Sequence, residues 1–559
     1  MPAPSRPTPS SDEALLEQAE SRGLLGRAAI YLRLSGPGWL QGAVTLGGGS
    51  LAGALYLGIL GGPHLLWLQP LAMACGVVML SAISYVTLST GERPVDTMSR
   101  TLSPVLAIAW IIATIIADLV FCMAQFALAT STVTQNLIPS LSASRGALWV
   151  VGLVLAVVSL TIVFLYDSGS RGIRIFENVL KVLVAVVVLA FFGVIFSLTK
   201  AGRLDWGEAA AGFVPDLSQL REPTPSLEAA AAATGEHAPV WRTLIADQQR
   251  DAIIAAFGSA VGINMTFLLP FSLLRRGWGR RQRGLAMFDL SLGLLIPFII
   301  ATSFLVISAW SQFYGRTADV WLADGTLDPA MTASYNSSAD AFLARQHGAA
   351  FTTATPEAKA AMRAALPAED RQVAAMLAPR DARQLAATLV PFLGDKGANL
   401  IFGIGVFAMA WSTMIVHMLM NGLAFSALLK RYNSRVIFMI GAAMPAITGM
   451  LAPILWTGPS RAALAIPASV VATTLLPIAY FGFLLLMNSK AALGEARPAG
   501  ARRVTWNVLM LAATGAASYA SVWAIMNKPG NWSKVGLSVL VILAIFGVVG
   551  FLRRSRPSS

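Results

Sequence analysis

The sequence predicts an all-α membrane protein with about twelve membrane-spanning helices, arranged as two inverted repeats of five helices each. Its 559 residues are 56% hydrophobic and only 12% charged, whereas soluble domains carry about 25% charged residues. At least ten stretches of 18 or more residues are almost free of charge, which is long enough to cross a bilayer as a helix. The first and the sixth stretches are both interrupted, and this pairing predicts the two repeats.

The apolar runs predict twelve spans, at residues 36–60, 65–90, 103–129, 147–166, 176–199, 251–274, 288–311, 397–426, 435–456, 462–487, 504–526 and 533–552. We assign spans one to five to a first repeat (36–199) and spans six to ten to a second repeat (251–487). Spans eleven and twelve, with the tail that follows them (488–559), would be additions to the repeats.

Two long segments outside the spans, 200–250 and 312–395, are alanine-rich and carry both charge signs. Runs such as EAKAAMRAALPAEDRQVAAML look helical. We therefore expect a small extracytoplasmic cap, which is either a gate or partner surface, or a tolerated loop insertion. Residues 1–35 form a tail, in which Ser10 and Glu13 have the spacing of a capping box and open an amphipathic helix on the membrane surface.

The basic residues set the predicted orientation. They concentrate in the loops after spans six, eight and ten: Arg275, Arg276, Arg280, Arg281, Arg283, Lys430, Arg431, Arg435, Lys490, Arg497, Arg502 and Arg503. All of these lie on one side of the bilayer if both termini are cytoplasmic, as the positive-inside rule requires. Topology thus explains the net charge of +13 without nucleic acid. We expect a multi-pass protein of the cell (inner) membrane, whose partners are lipid, protons and a transported ion or small solute.

Span one contains Gly47, Gly48 and Gly49, followed by Ser50. Three consecutive glycines are hard to hold in a helix, because glycine gives up the most backbone freedom there. A break inside lipid leaves N–H and C=O groups unpaired, which is tolerated only where they line a cavity or meet a ligand. The alternative is a small-residue surface at which two membrane helices pack closely.

Span six mirrors span one. It reads FGSAVGINMTFLLPFSLL, with two glycines at helical spacing, then two polar residues, then a proline. Two broken helices that face each other at mid-membrane are typical of a transporter binding site. We expect the substrate to contact the residues beside the breaks, which are Thr45, Gly47, Gly48, Gly49, Ser50, Gly262, Ile263, Asn264 and Thr266.

Few ionisable residues lie inside the spans, where a charge is costly. Asp118, near the centre of span three, is either a proton-relay acid or a protonated acid that bonds a neighbouring helix. His417, in span eight, either shuttles protons with it or bridges helices as a neutral ring. Asp289 starts span seven beside the arginine loop, so we expect it to pair with those arginines. Cys75 and Cys122 lie in apolar spans and give neither a disulfide framework nor zinc spacing.

Five segments, taken in order, resemble the natural resistance-associated macrophage protein (Nramp) family of proton-coupled divalent-metal transporters. They are GPGWLQGAVTLGGGSLAGAL, LLWLQPLAMACGVVMLSAISYVTLSTGERPVDTMSR, IIADLVF, GIRIFENV and AWSTMIVHMLMNGLAF. The resemblance covers residues 36 to about 490 without the two long segments. It implies the LeuT-type five-plus-five fold, with broken helices 1 and 6, and proton-linked transport of a divalent metal ion.

The chain departs from this family pattern at the metal site. The family's first-helix motif is Asp-Pro-Gly-Asn, whereas residues 47–50 read Gly-Gly-Gly-Ser. The sixth-helix motif is Met-Pro-His, whereas residues 262–264 read Gly-Ile-Asn. Of the two acids on helix three, Asp118 remains and Phe121 takes the second place. The scaffold and part of a proton path are kept, and the metal-binding side chains are not.

We therefore expect a secondary transporter of the Nramp type with an atypical site, nominally for Mg²⁺ or Mn²⁺ that keeps part of its water shell. Serine, threonine and glycine oxygens do not offset the cost of burying a bare dication. One alternative is a carrier of a small organic solute or anion, such as an amino acid or carboxylate, at the glycine-rich break. Another is a membrane sensor or scaffold that does not transport. We identify no metal-ligand cluster, no cofactor site and no nucleophile–base pair, so we do not expect an enzyme.

Overall fold

The computed structural model describes residues 11–141, 145–166, 204–452, 460–527 and 531–555, with Trp456 and a few positions between 182 and 202. Every regular element in these residues is helical, apart from one isolated β-bridge between Trp321 and Leu327. Within this part of the chain nine helices are long and apolar enough to cross a membrane, or ten when the bent pair Pro37–Thr45 and Gly48–Leu65 counts as one span. The prediction of an all-α membrane protein is confirmed.

The α-helices follow the predicted order. They are α1 (Ser11–Glu20), α2 (Leu24–Leu34), α3 (Pro37–Thr45), α4 (Gly48–Gly61), α5 (Leu68–Thr90), α6 (Pro94–Thr101), α7 (Pro104–Thr132), α8 (Arg145–Tyr166), α9 (Trp206–Ala211), α10 (Pro225–Ala233), α11 (Ala238–Ala260), α12 (Ile263–Arg275), α13 (Arg283–Leu290), α14 (Ile296–Phe313), α15 (Thr332–His347), α16 (Ala349–Thr352), α17 (Pro356–Ala364), α18 (Ala368–Leu377), α19 (Ala382–Leu385), α20 (Val390–Leu428), α21 (Arg435–Met450), α22 (Ala465–Asn488), α23 (Lys490–Leu493), α24 (Gly500–Met526) and α25 (Trp532–Ser555). Span five (176–199) and the segment GIRIFENV before it lie largely outside the described residues.

Spans one and six are both interrupted, as predicted. Between α3 and α4 the backbone leaves the helix at Leu46 and Gly47 (φ −96°, ψ −177° at the glycine), and the two helices are bent by 51°. Between α11 and α12 the backbone is extended at Val261 (φ −140°, ψ 99°) and Gly262 (φ −70°, ψ 157°). All four residues are buried, so four helix ends meet inside the protein.

The broken spans lie at the centre of the bundle. Helix α4 packs against α14 and α11, and α7 packs against α20, α21 and α22. Helix α25 lies at the periphery, because only 11% of its most apolar 18-residue stretch is buried within the protein. The two breaks are therefore enclosed by other helices and are shielded from lipid, as unpaired peptide groups require.

The segments outside the spans fold as short helices, and three details differ from the prediction. Helix α11 begins at Ala238 and not at residue 251, because its polar first turns pack in the cap. The run EAKAAMRAALPAEDRQVAAML forms two helices, α17 and α18, since Pro367 precedes the second. The N-terminal amphipathic helix is also two helices, α1 and α2, and Ser10 of the expected capping box lies outside the described residues.

Arg380, in the loop before α19, is fully buried where the cap meets the membrane helices. Its guanidinium donates to both carboxylate oxygens of Asp319, with Nε–Oδ2 at 2.9 Å and Nη2–Oδ1 at 3.1 Å. It also donates to the carbonyls of Met376 and Ala378, each at 2.8 Å. The Arg380 carbonyl accepts the hydroxyl of Tyr56, on α4, at 3.0 Å. Each of the three guanidinium nitrogens thus donates to an acceptor, which offsets the cost of burying the charge.

The next residue, Asp381, extends this connection to other helices. Its carboxylate accepts Ser131 Oγ at 3.0 Å, at the end of α7, and Gln135 Nε2 at 2.6 Å. It also accepts the N–H of Ala462, just before α22, at 3.1 Å. We call these two residues and their partners the Arg380–Asp381 clamp. The clamp joins the cap to α4, to α7 and to the start of α22.

Candidate functional site

The two breaks present opposite helix ends to each other. Helices α3 and α11 end here with carbonyls, and α4 and α12 begin here with N–H groups, that the regular hydrogen bonds of their own helices do not use. Two hydrogen bonds tie the breaks together. Ser50 Oγ donates to the Ser259 carbonyl at 3.0 Å, and Thr45 Oγ1 donates to Met265 Sδ at 3.1 Å.

A cavity of about 20 Å³ lies between the breaks. About 10–15 Å³ of such volume holds one water molecule, so the cavity admits a single species of that size. Its lining residues are Val44, Thr45, Gly49, Ser50, Phe121, Gln125, Ser259, Gly262, Asn264, Met265, Thr413 and His417. Of the residues predicted from the sequence, Thr45, Gly49, Ser50, Gly262, Asn264 and His417 line it. Gly47, Gly48, Ile263, Thr266 and Asp118 lie outside this lining.

The three consecutive glycines have different surroundings. A Cβ at Gly47 would overlap the side chain of Thr413. A Cβ at Gly48 would lie 2.5 Å from both Gln125 Oε1 and Leu128 Cδ2. At Gly49 the nearest atom is 3.7 Å away, which is ordinary contact. Gly47 and Gly48 thus allow close packing, whereas Gly49 leaves the space that forms the cavity. Gly48 and Gly49 are helical, since α4 already begins at Gly48.

Asp118, Asn264 and His417 form a buried triad from α7, α12 and α20. Asn264 Nδ2 donates to Asp118 Oδ1 at 2.8 Å, and His417 Nδ1 lies 3.0 Å from both Asp118 Oδ1 and Asn264 Nδ2. Phe121 stacks on the imidazole with ring centroids 5.4 Å apart. The other carboxylate oxygen, Asp118 Oδ2, is buried without a partner. Asp118 therefore lies behind Asn264 and His417, one residue removed from the cavity.

Thr266 holds two helices together and does not face the cavity. Its hydroxyl accepts Trp110 Nε1 of α7 at 3.0 Å and donates to the Ile263 carbonyl. These bonds hold the first turn of α12 against α7 and leave no side-chain hydrogen for the cavity. The sequence could not separate Thr266 from Asn264, because both are polar residues just after the same break.

Asp289 caps α3. Its two carboxylate oxygens accept the N–H groups of Gly36 at 3.0 Å and Gly38 at 2.6 Å. The sequence analysis did not identify this cap. Next to it, a Cβ at Gly38 or Gly42 would overlap backbone atoms of Asp289 or Gly293. Helix α3 therefore lies directly on α13 and on the π-helical turn Ser291–Leu295 that follows it.

A larger cavity of about 1020 Å³, which we call the vestibule, opens between α12, α20 and the loop before α6. Leu268 of α12 lines the vestibule. It lies one turn after Asn264, a rise of about 6 Å along the helix. Arg93 lies 3.9 Å over the ring of Tyr432 at its wall. Burial, and then the neighbouring Asp96 carboxylate, raise the pKa of Tyr432 to about 12, so its hydroxyl stays protonated and donates to Asp96 at 3.3 Å.

Among the described residues, no three His, Cys, Asp or Glu side chains converge in a group that could hold a metal ion. One acid and one imidazole are the ionisable groups at the breaks, in Asp118 and His417. An ion in this cavity would therefore be surrounded mainly by neutral oxygens and peptide groups.

Sequence reasoning missed three polar residues of the cavity wall, Gln125, Ser259 and Thr413. Gln125 and Thr413 lie on helices from which we selected an ionisable residue. Gln125 follows Asp118 by seven residues and Thr413 precedes His417 by four, spacings that place each pair on one helix face. That periodicity could have identified both residues.

The comparisons with known proteins agree with this architecture. The family model described as natural resistance-associated macrophage protein-like matches residues 38–339 and 360–526. Two crystal structures of the manganese transporter of Eremococcus coleocola share the fold. A mutant matches at TM-score 0.63 and 12% identity over 94% of this chain and 96% of that one. A complex with an aromatic bis-isothiourea substituted compound matches at TM-score 0.62 and 12% identity over 96% and 97%. The comparison with curated proteins finds no match.

Proposed function

The chain belongs to the Nramp-like family, and on that premise we propose that it is a membrane transporter that carries a divalent metal ion by alternating access. The observation that carries this proposal is the cavity of about 20 Å³ that lies between the ends of four half-helices. Carbonyls at two of these ends attract a cation, and interrupted helices at the centre of a bundle are where transporters of this fold bind their cargo.

Cavity size favours an ion over an organic solute. Pockets for small organic molecules are about 300–1,000 Å³, whereas the space between the breaks is about 20 Å³. An amino acid or a small carboxylate does not fit there in this conformation. The manganese transporter of similar fold gives Mn²⁺ as the first cargo to test, and Mg²⁺ is the second, because neutral oxygens suit hard dications.

We propose that Asp118 and His417 carry the coupled proton. The carboxylate and the imidazole are 3.0 Å apart and both are buried, so a proton can pass between them without solvent. Asn264 contacts both groups and also lines the cavity. A cation beside Asn264 would therefore alter the field at the pair, which links its arrival to loss of the proton.

The arginine-rich loops orient the molecule in this proposal. Both termini are cytoplasmic by the positive-inside rule, so the vestibule, whose wall includes Arg93, Arg100, Arg275 and Arg435, opens to the cytoplasm. The cap and the Arg380–Asp381 clamp then lie on the opposite side. This is an inward-facing conformation of the transport cycle.

The test is uptake by purified protein in proteoliposomes. We expect Mn²⁺ or Mg²⁺ influx that increases when the outside is acidified. Asp118→Asn should keep the fold and lose the acceleration by acid, whereas Asp324→Asn, an exposed change in the cap, should behave as the wild type. Uptake of alanine or a small carboxylate without metal uptake would favour an organic cargo. Binding without flux of any probe would identify a sensor and overturn the proposal.

A further inference from the structure

One face of α7 points at the candidate site. Asp118, Phe121 and Gln125 recur at intervals of three and four residues, which is the spacing of one helix face. Asp118 is engaged with Asn264 and His417 and does not reach the cavity. Gln125, two turns further along, lines the cavity directly.

The amide oxygen of Gln125 has no hydrogen-bond partner, although the residue is only 1% exposed. The other polar side chains of the cavity wall are engaged. Ser50 bonds Ser259, Thr45 bonds Met265 and Thr413 bonds the Met409 carbonyl. A buried acceptor without a partner is costly, and native proteins keep such groups where a ligand or water completes them.

The glycines of the first break make room for this amide. A Cβ at Gly48 would lie 2.5 Å from Gln125 Oε1, and a Cβ at Gly49 would lie 3.7 Å from Nε2. The first turn of α4 carries no side chain larger than serine. The amide from α7 therefore occupies space that side chains of α4 would otherwise fill, and it supplies an oxygen that α4 lacks.

We propose that Gln125 is a specificity-determining residue that contacts the transported cation through its amide oxygen. The inference rests on the proposed transport of a divalent metal ion and adds one ligand to that site. An amide oxygen is a neutral, hard ligand of the kind that Mg²⁺ and Mn²⁺ accept together with water. Its free lone pairs attract cations and repel anions, so this contact would weaken the binding of an anionic cargo.

The experiment compares Gln125→Leu, which removes the oxygen at similar volume, with Gln125→Glu, which keeps the oxygen and adds a charge. Gln69→Leu is the matched control, because Gln69 is also buried with both amide atoms unpartnered but does not line the cavity. Uptake of Mn²⁺ and Mg²⁺ is measured in proteoliposomes. Metal binding is measured by the shift of the thermal unfolding midpoint with Mn²⁺.

We expect Gln125→Leu to raise KM for Mn²⁺ roughly tenfold or more and to abolish the Mn²⁺-induced thermal shift, with the metal-free midpoint unchanged. Gln125→Glu should lower KM and change the Mn²⁺ to Mg²⁺ preference. Gln69→Leu should match the wild type. An unchanged KM in Gln125→Leu, or equal damage in the leucine and glutamate variants with a lower metal-free midpoint, would overturn the proposal.

The thermal shift and the flux of the wild type distinguish a failure of the Gln125 proposal from a failure of the proposed transport. If the wild type shows an Mn²⁺-induced thermal shift that Gln125→Leu removes, but no flux, transport fails and the ligand assignment stands. If the wild type shows neither shift nor flux, both fail.

Discussion

At the scale of single residues, the consecutive glycines 47–49 have different surroundings. Gly47 lies against Thr413, a β-branched side chain that is stiff at χ1 and cannot easily move aside. At Gly49 the nearest atom to an added Cβ would be 3.7 Å away, which is ordinary contact. Gly47 thus fits the close-packing alternative from the sequence, and Gly49 leaves the space that the binding-site alternative requires.

This difference predicts opposite results for two alanine substitutions. Gly47→Ala should destabilise the protein by about 1–3 kcal/mol, the usual cost of overpacking a core. Gly49→Ala should leave stability unchanged or raise it by about 0.5–1 kcal/mol, because alanine is the better helix former, and its methyl should reduce Mn²⁺ uptake by filling the cavity. Thermal unfolding in detergent, read beside proteoliposome uptake, measures both. Equal unfolding midpoints for the two variants would contradict the distinction.

The sequence identified the neutral residues beside the two breaks and the ionisable residues inside the spans, but not the neutral residues that neighbouring helices contribute to the cavity wall. Asp118 and His417 were selected because charges inside spans are rare and costly, and the structure brings them to 3.0 Å. Gln125 carries no charge and lies in an apolar stretch, so composition gave no reason to choose it. Its position on the helix face of Asp118 and Phe121 follows from the helical period, which we did not apply to neutral residues.

At the scale of elements, the short helix α3 is held from behind at two levels. Asp289 caps its first turn, and glycine contacts place it directly on the π-helical turn Ser291–Leu295. With backbones this close, α3 cannot slide or rotate alone. Helix α3 and the α13–α14 segment should therefore move together when the vestibule changes shape.

Removal of the cap should loosen α3. We expect Asp289→Ala to cost about 2 kcal/mol or more, at or above the upper end for a lost N-cap, because the carboxylate is buried and bonds two N–H groups. Asp289→Asn keeps one acceptor and should cost less. Hydrogen–deuterium exchange of Trp39–Ala43 should rise most in Asp289→Ala and less in Asp289→Asn. The exposed Asp395→Ala is the control. Unchanged exchange in Asp289→Ala would show that glycine packing alone holds the helix.

Sequence reasoning located both breaks because glycine and the mirrored position of span six are local signals. Helix lengths were harder to predict. Helix α11 begins at Ala238 because the cap covers its polar turns: Trp241 Nε1 donates to Asp370 at 2.5 Å, and Asp370 contacts His237 at 2.8 Å. Such contacts join residues more than 120 positions apart, and hydropathy does not record them.

At the scale of the whole molecule, the vestibule opens one side of the protein towards the candidate site, whereas the Arg380–Asp381 clamp holds the cap closed against the membrane helices. The vestibule reaches within one turn of Asn264. The clamp draws the cap onto α4, α7 and the start of α22 with hydrogen bonds of 2.6–3.1 Å. A fully buried arginine thus anchors the cap to the membrane helices.

Loss of the clamp arginine should release the cap. Arg380→Met leaves Asp319 without its partner, and breaking a buried pair of this kind costs about 3–5 kcal/mol. Arg363→Met is the control, since its pair with Asp340 is partly exposed and worth about 1 kcal/mol at most. Exchange of backbone amides in α4 and α15–α19 should rise in the first variant only. Equal exchange in both would mean that the clamp does not hold the cap.

The shape of the vestibule has a pharmacological consequence. About 1020 Å³ with four arginines and two carboxylates along its wall is room for a drug-sized molecule, and the excess of guanidinium groups selects acidic compounds. Since this mouth faces the cytoplasm in our orientation, a blocker built for it must first enter the cell. Antibodies and other impermeant agents would instead reach the outer surface of the cap in that orientation.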